Sequence, residues 1–327
     1  MGISLSDIQH TREQLGELVL TTPVWAWRTI DKERLLGTET EIWIKLELLQ
    51  RGGSFKPRGA LKNMMELAPE QLQTGITAVS AGNHAIAVAY AARVLNSQAK
   101  VVMPKSANAA RIAECESLGA EIILVEDVQE AFAEVKRIQE EEGRAFIHPF
   151  EGEKTVLGTA TVALEYHQQV GPLDALIVPI GGGGLAAGMA AAIHLLDPTC
   201  KVYGVEPEGA NTMYQSLQKG SPQSIERVRT IADSLGAPFS MPYTMDLCAK
   251  YLERVVLIDD SMIRRSMNLM FSDMKLVAEP AAAASLAALL GPLREELHGK
   301  KVGLIACGTN IDLDTFYQYV NGVDPWR

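Results

Sequence analysis

The stretch "DALIVPIGGGGLAAGMAAAIHLL", residues 174–196, decides the fold. After Asp174, its next six residues form a short apolar and partly β-branched run, which predicts a strand. Four consecutive glycines interrupt it, and an alanine- and leucine-rich run follows with helix-forming composition. The same alternation extends in both directions. "ITAVS" (76–80) precedes the helix-like "NHAIAVAYAARVL" (83–95), and "AKVVMP" (99–104) and "AEIILVE" (120–126) flank "NAARIAECESLG". "KVYGVEP" (201–207), "RVVLID" (254–259) and "KVGLIAC" (301–307) read as further strands. Strands alternating with helices of this length predict an α/β chain of two domains, with parallel twisted sheets flanked by helices. The run at 83–95 is apolar nearly all round, which predicts burial on several sides. No Pro/Gly/Ser-rich linker divides the chain. A smaller domain over 72–147 is therefore expected to be inserted in a larger one built from 1–71 and 148–327.

The chain has 327 residues, 47% hydrophobic and 21% charged, an ordinary globular balance with enough length for a sizeable core. A formal net charge of −10 argues against nucleic acid or an anionic membrane as the main partner. No apolar run reaches 18 residues, and the N-terminus shows no secretory signal. Cys115, Cys200, Cys248 and Cys307 lie far apart, so neither a zinc knuckle nor a disulfide framework is expected. A reducing cytoplasm is the expected compartment.

A glycine loop between strand and helix lets backbone N–H groups approach an anion, and the helix N-terminus adds positive partial charge. Gly181–Gly184 therefore predict a phosphate site. No GK[ST] follows, which argues against a nucleotide triphosphate loop. A loose GxGxxA match, with Glu206 ending the next strand, leaves an NAD-dependent oxidoreductase open. That reading leaves "RGGSFKPRGA" (51–60) unexplained. Lys56 stands there between an aromatic ring and a proline. Confinement among apolar groups lowers a lysine pKa, and the neutral amine is a nucleophile toward an aldehyde. Pyridoxal phosphate carries both an aldehyde and a phosphate.

The motifs "SFKPRGA" (54–60), "SAGNHA" (80–85), "GGGGLAAG" (181–188), "VEPE" (205–208), "TIADSLGAP" (230–238), "KLVAEPAAA" (275–283) and "CGTN" (307–310) occur in this order. Together they resemble the serine/threonine dehydratase and serine racemase family of fold-type II pyridoxal phosphate enzymes. The resemblance runs from "TTPVW" near residue 21 to "NIDLDTF" near 316.

It implies that Lys56 carries the cofactor and then serves as acid or base at the substrate Cα, with Phe55 packed beside the ring. It implies that Asn83 bonds the ring oxygen. The loop Ser80–Ala81–Gly82–Asn83–His84 would hold the substrate carboxylate. Gly181, Gly182, Gly183, Gly184 and the N–H of Leu185 would hold the phosphate. Cys307 would face the pyridine nitrogen, where a neutral thiol suits β-elimination better than transamination. Glu279 would abut the cofactor. Glu206, Ala210 and Thr212 fall where the family often binds a monovalent or divalent cation. The implied activity is dehydration of a 3-hydroxy-L-amino acid such as L-threonine or L-serine to a 2-oxo acid and ammonia. The implied assembly is a homodimer, without a C-terminal regulatory domain.

The chain also departs from the pattern. Ala81 replaces the serine that racemases use on the second face of Cα, so serine racemisation is expected to be negligible. A TSGNTG-type loop is absent, which argues against a β-replacement synthase. Thr159 and Ala160 replace a Gln-Gly pair, Ser234 replaces a glycine, and Ala282 and Ala283 occupy an expected loop where glycine is usual. These changes are expected to add bulk on the substrate side. They open hydroxyaspartate or phenylserine as alternative substrates.

Overall fold

The computed structural model describes residues 2–326, the side chain of Val128 excepted. Among the described residues ten strands form two sheets. The first contains β1 (Val24–Ala26), β2 (Glu41–Lys45), β7 (Ala175–Pro179), β8 (Lys201–Pro207), β9 (Arg254–Ile258) and β10 (Lys301–Ile305), in the order β1-β2-β10-β7-β8-β9. Only the β1–β2 pairing is antiparallel. The second contains β3 (Ile76–Val79), β4 (Ala99–Pro104), β5 (Glu121–Val125) and β6 (Ala145–Phe146), all parallel, in the order β5-β4-β3-β6. The sequence marked three strands here. It missed β6, whose two residues are too few for a period-2 pattern. β7 is buried at every position, as befits a central parallel strand covered on both faces.

The helix Asn83–Val94 is buried along most of its length, as its composition predicts. The smaller sheet's core is completed by Leu15, Val19, Ala60, Leu61 and Met64, which lie outside residues 72–147. The helix Pro57–Met65 thus packs toward the smaller sheet while Lys56 sits at its N-cap position.

The helix Glu153–Val170 lies between the Pro57–Met65 helix and the helix Gly184–Leu196. Glycines allow both close approaches. A Cβ on Gly158 would stand 2.4 Å from the Arg58 carbonyl oxygen, and one on Gly188 would stand 2.1 Å from Thr159 Oγ1. One buried helix therefore fixes the distance between Lys56 and the glycine loop. The loops after β3, β7 and β10 meet at the carboxyl ends of their strands, the usual binding edge of open α/β sheets.

Candidate active site

A cleft of about 420 Å³ lies at this edge, lined by Phe55, Lys56, Asn83, Gly181–Gly184, Leu185, Glu279 and Cys307. The structure thus brings together every residue expected to face the cofactor. Phe150, Pro179, Ser234, Leu235 and Ala281 complete the lining.

The segment bearing Lys56 is held from both sides. Gly52 and Gly53 adopt φ of +67° and +68°, which side chains other than glycine's rarely tolerate. Ser54 bridges Gly308, and Phe55 N–H donates to the Cys307 carbonyl at 3.1 Å. Pro57 then starts the helix, where its missing N–H costs nothing. Lys56 Nζ donates to the Pro149 carbonyl at 2.7 Å. Burial pulls its pKa down to about 8, with Cys307 and Glu279 opposing.

The glycine loop is packed as well as bare. A Cβ on Gly182 would fall 2.1 Å from the Phe150 ring, and one on Gly184 would fall 2.6 Å from the Phe150 carbonyl oxygen. The N–H groups of Gly182, Gly183, Gly184 and Leu185 meet no acceptor among the described residues, as expected for the first turn of a helix. Four such donors at a helix N-terminus fit a phosphate.

Ser80 Oγ accepts from Gly82 N–H at 3.1 Å and does not cap the following helix. The N–H groups of Ala81, Asn83 and His84 meet no acceptor among the described residues, so this loop can also take an anion. The Asn83 side chain is buried. Its Nδ2 donates to Glu279 Oε1 at 2.7 Å, and its Oδ1 accepts from Asn310 Nδ2 at 2.8 Å. Glu279 Oε2 is buried without a partner among the described residues. Burial lifts the Glu279 pKa to about 7. Burial also pushes the Cys307 thiol far up, Glu279 adding to the effect, so the thiol is neutral. An orphaned carboxyl oxygen, a neutral thiol, a lysine of lowered pKa and a bare N–H cradle fit pyridoxal phosphate.

Some expected positions behave differently. His84 is buried and bonds the Ile147 carbonyl at 2.9 Å through Nε2. Its ring lines a smaller cavity of about 270 Å³ behind Lys56, with His148 and Thr159. Burial, then the charge of Lys56, lowers His84 to about 3 and His148 to about 4, so both are neutral. Glu206 accepts from Met213 N–H at 2.9 Å and from Tyr214 N–H at 2.7 Å, which caps the helix Thr212–Lys219. Thr212 Oγ1 donates to the Ala237 carbonyl at 3.3 Å. Among the described residues no group of three or more His, Cys, Asp or Glu is placed to hold a metal ion.

The added bulk is partly relocated. Ser234 does line the cleft. Ala282 and Ala283 are buried inside the helix Pro280–Leu290, because Pro280 starts a helix where a loop was expected. Ala160 belongs to the core, and Thr159 Oγ1 donates to the Gly184 carbonyl at 2.8 Å, beneath the glycine loop.

Sequence reasoning gave no role to Arg58, although the motif contains it. Its guanidinium forks onto Glu47 (2.8 and 2.8 Å) and onto Glu165 (2.9 and 2.8 Å). Lys45 Nζ joins Glu165 at 3.0 Å. Arg58 and Glu47 are fully buried. The pairing is invisible in sequence because Glu165 lies 107 residues away.

The model of the family described as "Pyridoxal-phosphate dependent enzyme" matches residues 16–308. The chain is 50% identical to the phenylserine dehydratase of Ralstonia pickettii over 97% of its own length and 96% of that relative. It is 35% identical to the L-threonine ammonia-lyase of Thermotoga maritima, over 98% of its own length and 78% of that relative. Maize serine racemase superposes with a TM-score of 0.91 at 33% identity, over 97% of each chain. No helix among the described residues is long and apolar enough to cross a membrane. From the Lys56 segment, the bare N–H cradle and these matches along its length, the chain belongs to the pyridoxal-phosphate dependent enzymes and is a lyase of fold type II.

Proposed function

We propose that this lyase dehydrates and deaminates a 3-hydroxy-L-amino acid bearing an aryl group at Cβ, phenylserine being the model substrate. The similarity to phenylserine dehydratase along nearly the full length of both chains carries this reading. The cleft supports it. Among the described lining residues Lys56 is the only one with a cationic side chain. Phe150, Leu235 and Pro179 supply apolar surface. An aromatic row continues from Phe150 to Phe239 (6.1 Å between centroids) and on to Phe132 (6.0 Å). Aromatic pairs at such spacings favour tilted or edge contacts with a further ring.

Bound pyridoxal phosphate supplies an aldehyde for the substrate amine and a ring that takes up the electrons released at Cα. The glycine-loop N–H groups would hold its phosphate and Asn83 its ring oxygen, with neutral Cys307 on the side of its nitrogen. The N–H groups of the Ser80–His84 loop hold the substrate carboxylate. With the substrate amine held on the cofactor, the freed Lys56 Nζ would take the Cα proton. The Cβ–O bond breaks and the hydroxyl leaves as water, taking up the proton that Lys56 Nζ removed from Cα; a second water then hydrolyses the released enamine through its imine form, giving a 2-oxo acid and ammonia. Ala81 offers no acid or base on the opposite face, so racemisation is not part of this reaction.

Phe150→Ala tests the aryl pocket. Its kcat/KM for phenylserine is expected to fall at least about tenfold further than that for L-threonine. The ratio cancels any shared effect on the cofactor. Equal losses for both substrates would contradict the aryl assignment.

A further inference from the structure

We propose that Asn310 is a positioning residue for the cofactor ring, acting through the orientation of the Asn83 amide. This rests on the reading that Asn83 faces the ring oxygen. An amide side chain can turn by half a rotation and exchange its donor and acceptor ends. The donor must face the cleft to serve a phenolate-like oxygen, so something must hold the acceptor end away.

Glu279 cannot set this alone. A carboxyl group near the midpoint of its titration can accept from Nδ2 when ionised or donate to Oδ1 when protonated. Asn310 Nδ2 is a donor in every state, and it meets Asn83 Oδ1 at 2.8 Å. Asn310 is itself held. The same Nδ2 donates to the Gly52 carbonyl at 2.8 Å. Its Oδ1 stands only 2.5 Å from where a Gly53 Cβ would be, so the bare glycine makes room for it. Its backbone carbonyl accepts Arg111 Nε at 3.0 Å and Nη2 at 2.8 Å. One residue thus joins the Lys56 segment, the Asn83 helix and the Arg111 helix. Its side chain leaves Asn83 one N–H bonded to Glu279 at 2.7 Å and the other directed to the cleft side, where it meets Ser234 Oγ only at a long 3.4 Å.

Asn310→Asp keeps the shape and removes the donor. The experiment measures pyridoxal phosphate affinity and the visible absorption of the loaded protein against pH, in the parent and in the Asn83→Ala background. Asn310→Asp is expected to weaken cofactor binding about tenfold and to shift the absorption. In the Asn83→Ala background the same change is expected to cost less than about twofold, because its route of action is gone. Parent-like affinity and absorption in Asn310→Asp would overturn the proposal. So would an equal loss in both backgrounds, which marks a clamp on Gly52 only. If Asn83→Ala alone alters neither property, Asn83 does not face the ring, and both readings fall.

Discussion

Lys56→Ala is expected to leave a protein that loses its yellow colour on dialysis and forms 2-oxo acid more than about a thousandfold more slowly. The lysine would serve twice, as covalent anchor and as base at Cα, and alanine can do neither. The fold should persist, since Lys56 Nζ makes one hydrogen bond, to Pro149. The same residue gives a pH signature. Only the neutral amine attacks an aldehyde, and burial sets the Lys56 pKa at about 8, below the ordinary lysine value of 10.5. Capture of pyridoxal phosphate by the stripped protein should therefore accelerate as pH rises and level off above about 8. An inflection near 10.5 would show that Lys56 is not confined as described.

Arg58→Met is expected to destabilise the fold by about 3–5 kcal/mol, because removing one partner of a buried ion cluster leaves an uncompensated charge. Glu47 is the group most exposed to that loss. Its two oxygens take two of the guanidinium bonds, and apart from Arg58 it keeps a hydrogen bond from Thr22. Glu165 suffers less, since Lys45 and Arg12 remain. Adding Glu47→Gln to Arg58→Met should recover part of the deficit, as the stranded charge goes with it. Arg58→Lys should fall between, since one ammonium cannot reproduce two forks. Urea midpoints at constant m-value measure these differences. A loss under about 1 kcal/mol for Arg58→Met would show that the cluster is solvated in solution.

The cofactor-facing half of the site was legible because its signals are local. A lysine before Pro57, four glycines after a β-branched strand and a thiol at a strand end each carry their chemistry within a few residues. What escaped depends on long-range meetings. Arg58 is explained only by Glu47 and Glu165, and Asn310 only by Asn83, 227 positions away. β1 and β6 lie at sheet edges and, at three and two residues, are too short to carry a periodicity. Ala282 and Ala283 were misplaced in a loop because a helix begins at Pro280 directly after Glu279, whose side chain faces Asn83 and leaves the helix uncapped. Thr159 resembled a substrate-side change, yet the helix crossing turns it under the glycine loop.

The most direct test of the central claim is 2-oxo acid release by the purified, cofactor-loaded protein from L-phenylserine, L-threonine, L-serine and threo-3-hydroxyaspartate. Phenylserine is expected to give phenylpyruvate and ammonia with the highest kcat/KM of the four. No release from any of them by a protein that still holds its cofactor would contradict the dehydratase reading. Faster release from hydroxyaspartate or serine would contradict the aryl pocket.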